Sequence, residues 1–321
     1  MACSTLKHYY DEEFDPKLLD ETHFSHGNIP IIEESVVYPV RILHELFCSD
    51  TYIHRESRIA RMACSTLKQY DDEEFDPKLF LETYFTCENI PENMSFPMGI
   101  LHELFCSGKV KGDTLLDVSL AAVIYQLISA SNQFKKMYKV EFIDPNITHF
   151  KEWLEKKEGA TDWSFALQKV CEFEGNRDKW QEKEEQLRKT IAGVIKWDNC
   201  ENIFFNPQLL PEVDCVLSLW QLNVVSKTKE EFQRNLKNFT CSLKPGGQLI
   251  LFSAVNMSYY VVGKYKFFAL TVDRDFIRQT VIKTGFAIEK EHYLSRKVNS
   301  DLIAYDGMLC ILARKQCECP I

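Results

Sequence analysis

Thr114-Leu115-Leu116-Asp117-Val118 is a short apolar run that carries an acid near its end, and Ser119-Leu120-Ala121-Ala122 follows it. Such a run reads as a buried strand, and the segment after it lacks the glycines that a tight turn in this place would carry. A helical pattern is expected next, over Ala121–Asn132, with Ile124, Leu127 and Ile128 on one face. The same alternation continues downstream. Strands are expected at Tyr138–Phe142, Val194–Trp197, Asp214–Trp220 and Gln248–Ala254. Helices are expected at Ile147–Lys157, Lys179–Gly193, Lys229–Ser242 and Arg274–Thr284, the last capped by Gly285. Strand–helix alternation predicts βαβ units and a mostly parallel sheet, hence an α/β fold. Phe286–Tyr293 and Met308–Arg314 have no helix between them, so an antiparallel pair at the sheet edge is expected.

Composition narrows the class of protein. With 45% hydrophobic and 26% charged residues in 321, the chain can bury a large core. Its net charge of −9 argues against a nucleic-acid partner, which needs clustered Lys and Arg. The basic residues between Lys179 and Lys189 alternate with Glu182, Glu184 and Glu185, as on a solvated helix face. The 12 cysteines have no metal-ligand spacing; even Cys317 and Cys319 lack neighbours to complete a site. No apolar run reaches the roughly 20 residues of a membrane helix. A cytoplasmic protein with reduced thiols, and with neither nucleic-acid nor membrane partners, is expected. His44, His102, His149 and His292 form no pattern with Ser, Cys or Asp that would suggest nucleophilic catalysis.

The front of the chain repeats. Met1–Phe24 returns as Met62–Phe85 at an offset of 61, and Ile42–Ser49 returns as Ile100–Ser107 at an offset of 58. Two copies are too few for a solenoid. Residues 1–61 are therefore expected to be a partial duplicate, loosely packed, carrying five of the nine net negative charges. Residues 62–321 are expected to be the working domain, with 62–109 as a helical lid and 110–315 as the sheet core.

Several stretches carry a resemblance. They are Phe75-Asp76-Pro77-Lys78, Val110-Lys111-Gly112-Asp113, Ile124-Tyr125-Gln126-Leu127, Trp153-Leu154, Cys171–Arg177, Asp214–Ser218, Leu243-Lys244-Pro245-Gly246-Gly247 and Ser258-Tyr259-Tyr260. Together they resemble the class I S-adenosylmethionine-dependent methyltransferases, in particular the N-methyltransferase family of nicotinamide, phenylethanolamine and indolethylamine, with the nicotinamide branch most similar. The resemblance implies a seven-stranded, mostly parallel, Rossmann-like sheet with helices on both faces and an N-terminal lid. It also implies S-adenosylmethionine as cofactor, a small amine or pyridine nitrogen as acceptor, and a monomer.

The resemblance also implies the site residues. Cofactor contacts fall on Phe80, Phe85, Ser119, Leu120, Tyr125, Glu141, Asn146, Asp198, Asn199 and Leu219. Glu141, at the end of the second strand, stands where the family places the acid that receives the ribose. Substrate contacts fall on Ser253, Tyr260 and Ala269. Several of these depart from the family pattern. Tyrosines become Phe80 and Phe85, a threonine becomes Leu219, an aspartate becomes Ser253 and a serine becomes Ala269. The family turn Ile-Gly-Ser-Gly-Pro becomes Val118-Ser119-Leu120-Ala121-Ala122. An alanine held at positive φ costs about 1–2 kcal/mol, and a lost charged partner about 1.5–3 kcal/mol. Two functions stay open at this level. One is methyl transfer to a small nitrogen acceptor, at an activity weakened by these departures. The other is a relative that has lost cofactor binding and acts as a non-enzymatic protein.

Overall fold

The computed structural model describes residues 67–71, 73–85, 90–197 and 212–316. The first repeat copy, with the expectation attached to it, lies outside these residues, as do Asp198 and Asn199.

Seven strands form the central sheet in the order β3-β2-β1-β4-β5-β10-β8. They are β1 (Thr114–Asp117), β2 (Lys136–Glu141), β3 (Ile191–Lys196), β4 (Val213–Leu219), β5 (Leu243–Val255), β8 (Phe286–Ser295) and β10 (Gly307–Lys315). The first five run parallel, and β10 runs antiparallel to both its neighbours. The expected terminal pair is therefore present, with β10 inside the sheet and β8 at its edge.

All four residues of β1 are buried. A strand covered on both faces needs a continuous apolar run, which is what this segment supplies. Successive side chains then feed two cores. Leu115, Cys215, Leu217, Ile250 and Phe252 belong to one cluster, and Leu116, Val216, Leu249 and Leu251 to the other. On the first face lie α1 (Pro77–Tyr84), α2 (Glu92–Cys106), α3 (Asp144–Leu154), α4 (Ser164–Phe173) and α5 (Trp180–Thr190). On the second lie α6 (Gln221–Val225), α7 (Lys229–Phe239) and α8 (Arg274–Lys283).

Local signals explain most element ends. Asp76 caps α1, accepting the Leu79 N–H at 3.1 Å, and Pro77 opens the helix where a missing N–H costs nothing. Helix α3 starts at Asp144 rather than Ile147, because Pro145 also suits a first turn. The charged helix α5 stops at Thr190, and β3 begins at Ile191, three residues ahead of the expected Val194. Gly285 ends α8 at φ +92°, a left-handed conformation open to glycine.

Three features differ from the expectation. The segment 121–132 is not an α-helix; it holds two 3-10 turns, Tyr125–Leu127 and Ser129–Asn132. The chain leaves Ala121 at φ +58°, which an α-helix cannot propagate. Residues 121–131 are also buried throughout, so no solvent face stabilises a regular amphipathic helix. Helices α4 and α6 were not foreseen; Asp162 accepts the Ser164 N–H at 2.8 Å at the start of α4. A second sheet, β7-β6-β9, was also not foreseen. Strands β6 (Tyr259–Val262) and β7 (Tyr265–Phe268) form a hairpin joined by Gly263 and Lys264, with Gly263 at φ +59°. Strand β9 (Ile303–Ala304) pairs with β6, and Lys68 bridges to Phe267.

Candidate active site

The strand order turns back between β1 and β4, so the crevice beyond their carboxyl ends is where a ligand of an open α/β sheet is expected. The turn 118–120 is pinned there by backbone bonds to β4: Val118 N–H to Leu217 at 2.7 Å and Leu120 N–H to Leu219 at 2.9 Å.

A buried polar cluster fills this position. Ser119 donates its hydroxyl to Asp117 and accepts the Leu219 N–H at 3.0 Å. Gln126 donates to Asp117 at 2.7 Å and to the Val123 carbonyl at 3.0 Å. Lys139 donates to the Ser119 carbonyl at 2.6 Å, and its ammonium lies 3.4 Å from Asp117 and 3.2 Å from Glu141. Asn146 donates towards Glu141 at 3.2 Å and towards the Tyr70 hydroxyl. Asp117, Lys139, Glu141 and Asn146 are fully buried.

Burial pushes the Glu141 carboxyl up to about 7; Asp117 adds to the rise, and Lys139 and Asn146 oppose it. Besides Lys139 and Asp117, the charged or titratable group facing it is Tyr70, whose own hydroxyl is raised, first by burial and then by Glu141. A carboxyl raised above its ordinary 4.5 holds a proton that the unfolded chain releases. Its contribution to stability is full below that value and is lost as pH rises through about 7. Urea unfolding should therefore show stability falling by about 1–3 kcal/mol from pH 5 to pH 8 through this group. Glu141→Gln should flatten that part of the slope, and an unchanged slope would assign it elsewhere.

An aromatic wall stands beside the polar cluster. Phe80 packs against Tyr84 and Phe85, with ring centroids 5.1 and 5.8 Å away, and against Tyr260 at 6.2 Å. Phe85 meets Tyr125 at 5.5 Å and Trp163 at 6.2 Å. Trp220 donates its indole N–H to the Tyr125 hydroxyl at 3.4 Å. The Tyr84 hydroxyl lies 2.9 and 2.8 Å from the carbonyls of Val261 and Leu302 and accepts the Val261 N–H at 3.0 Å, tying α1 to β6.

The structure thus gathers Ser119, Leu120, Glu141, Asn146 and Leu219 at the strand ends. Phe80, Phe85, Tyr125, Tyr260 and Ala269 belong to the same apolar cluster on that face. Ser253 stands apart in its bonding. It is buried and donates to Asn223 at 2.7 Å, and Asn223 in turn donates to the carbonyls of Ala254 and Leu270. Lys139, Tyr70, Gln126 and Trp163 were not foreseen. Strand alternation puts Lys139 on the same face as Glu141, but the contact with Asp117 and the Ser119 carbonyl comes from the β1–β2 register.

The model of the NNMT/PNMT/TEMT family matches residues 63–316. The chain belongs to this family. It is 34% identical over 246 residues to indolethylamine N-methyltransferase of Oryctolagus cuniculus, covering 75% of this chain and 94% of that one. It is 34% identical over 249 residues to nicotinamide N-methyltransferase of Sus scrofa, covering 76% and 94%. It is 35% identical over 245 residues to the Homo sapiens nicotinamide enzyme, covering 75% and 93%. The matched residues include β1, β2, β4 and the polar cluster at their carboxyl ends.

The donor set suits a ribose. Glu141 ends β2, the position from which a carboxylate meets ribose hydroxyls in doubly wound sheets. Glu141 Oε1, Asn146 Oδ1 and the Tyr260 hydroxyl are buried and find no hydrogen-bond partner among the described residues, so all three have bonding capacity left for a ligand. The turn is filled differently from a glycine turn: Leu120, Ala121 and Ala122 are all buried. Ala121 sits at positive φ, where its methyl costs about 1–2 kcal/mol relative to glycine.

Proposed function

We propose that this chain transfers a methyl group from S-adenosylmethionine to the nitrogen of a small amine or pyridine-type substrate. The observation that carries this reading is the Glu141–Asn146 pair at the end of β2, at the crevice of a sheet that belongs to the NNMT/PNMT/TEMT family. When bound, the cofactor would supply an electrophilic methyl group on a sulfonium sulfur.

This chain's residues have the remaining task of placing an acceptor nitrogen in line and keeping water out, the terms that dominate such a displacement. Glu141 and Asn146 would hold the ribose. Ser119 and Leu120 would meet the cofactor from the turn after β1, with Leu219 opposite them on β4. Tyr125 and Phe85 would flank the adenosine side. Phe80 would join them on the cofactor side, Tyr260 and Ala269 would wall the acceptor, and aromatic faces also suit a nitrogen that becomes cationic on methylation. Asp198 and Asn199 remain adenine-side candidates, and Ser253 a substrate-side candidate acting next to Asn223. A pyridine-type nitrogen attacks with its own lone pair and needs no general base, whereas an alkylamine, an ammonium ion at neutral pH, must first release its proton to water. The expected setting is a cytoplasmic monomer. Its five acids in excess of bases upstream of Met62 argue against nucleic-acid or anionic-membrane partners. Among the described residues no helix is long and apolar enough to cross a membrane.

Calorimetric titration of the full chain with S-adenosylhomocysteine, followed by a radiolabelled methyl-transfer screen over pyridines and small amines, tests the reading. Micromolar binding and a labelled product are the expected result. A folded protein that shows no heat of binding at millimolar ligand would support the non-enzymatic alternative instead.

A further inference from the structure

Lys139 is a fully buried lysine at the crevice, in a role that the proposed methyl transfer does not call for. It lies on β2 two residues before Glu141, so both side chains leave the same face. The register sets it directly beside Asp117 of β1. Its ammonium meets three acceptors: the Ser119 carbonyl at 2.6 Å, Glu141 at 3.2 Å and Asp117 at 3.4 Å. The first of these is a hydrogen bond and the other two are ion pairs, which hold the ammonium charge between two buried carboxyl groups.

The consequence falls on Glu141. Its Oε1 faces Lys139 and its Oε2 faces Asn146. A ribose diol needs these same oxygens. A buried cation is costly once a paired carboxylate turns away from it. Oε1 accepts no hydrogen bond among the described residues, so ribose hydroxyls that approach it must share that oxygen with the ammonium, and a stronger bond to the ribose weakens the ion pair.

We propose that Lys139 is an internal competitor of the cofactor's ribose for Glu141, and so sets the cofactor affinity of this chain. The inference rests on the methyltransferase reading above. A purely structural role, with Lys139 serving only to clamp the Ser119 carbonyl and Asp117, predicts that its loss changes stability but not ribose recognition.

The test is calorimetric titration of the full-length protein with S-adenosylhomocysteine and with its 2′,3′-dideoxy analogue, using wild type, Lys139→Met and the neutral near-isostere Lys139→Gln. A carboxyl in either protonation state can bond a hydroxyl, so Glu141 stays competent in the variants. The folded variants should bind S-adenosylhomocysteine at least about tenfold more tightly than wild type. Loss of the ribose hydroxyls should cost wild type less than about threefold, and the variants about tenfold or more. Wild type that binds, with variants no tighter, overturns this inference and leaves the methyltransferase reading standing. Wild type that loses tenfold with the dideoxy analogue overturns it too, and needs no variant to fold. An absence of binding by wild type and by both folded variants overturns the methyltransferase reading, and this inference with it.

Discussion

Asp117→Ala should lower the stability of the fold by about 3–5 kcal/mol, the range for removing one partner from a buried charge network. The Asp117 carboxylate is fully buried and meets three groups: the Ser119 hydroxyl, the Gln126 amide at 2.7 Å and the Lys139 ammonium at 3.4 Å. Alanine leaves all three in a dry interior. Lys139 keeps only Glu141 and the Ser119 carbonyl, and the Gln126 amide keeps only the Val123 carbonyl. Each orphaned donor carries a desolvation penalty of about 1–3 kcal/mol. The thermal midpoint should fall by about 10 °C for a domain of this size. Asp117→Asn retains the shape and one acceptor oxygen, so it should cost less than half as much. A loss below 1 kcal/mol for Asp117→Ala would show that water or a rearranged Lys139 satisfies the cluster.

Gly112→Ala should cost about 2–4 kcal/mol by overpacking. A methyl at residue 112 would lie 2.4 Å from the Asp214 Cβ, 2.7 Å from its Cγ and 2.8 Å from its Oδ2. Asp214 cannot readily yield. Its carboxylate accepts the N–H groups of Asp113 at 2.8 Å and Thr114 at 3.0 Å, and it pairs with Lys244. These bonds join the entrance of β1 to β4 and to the start of β5. Urea unfolding of Gly112→Ala, Asp214→Gly and the double variant checks the cause. A steric origin predicts that the double variant costs clearly less than the two single losses together, because the collision is gone. Strict additivity would place the effect in the backbone of residue 112 instead.

Glu141 and Asn146 were readable as candidates because each follows a local landmark, a strand end and a helix start. Lys139 shows where such reading stops. Its sequence neighbours, Tyr138 and Val140, mark an ordinary strand. Only the β1–β2 register puts its ammonium between two carboxylates and a turn carbonyl. The segment 121–132 shows the same limit from the other side. Its apolar spacing matched a helix, but burial all round and the left-handed Ala121 favour 3-10 turns.

By itself, the sequence determined the α/β alternation, the burial of β1, the cap at Gly285 and the family. These follow from the periodicity of apolar residues and from backbone preferences, which act between near neighbours in the chain. Tertiary structure alone decided that β10 inserts between β5 and β8, that β6, β7 and β9 form a second sheet tied to Tyr84, and that Lys139 meets Asp117 and Glu141. Those outcomes depend on strand register and on contacts between residues far apart in sequence. There the cost of burying each polar group is settled by which partner the fold brings to it.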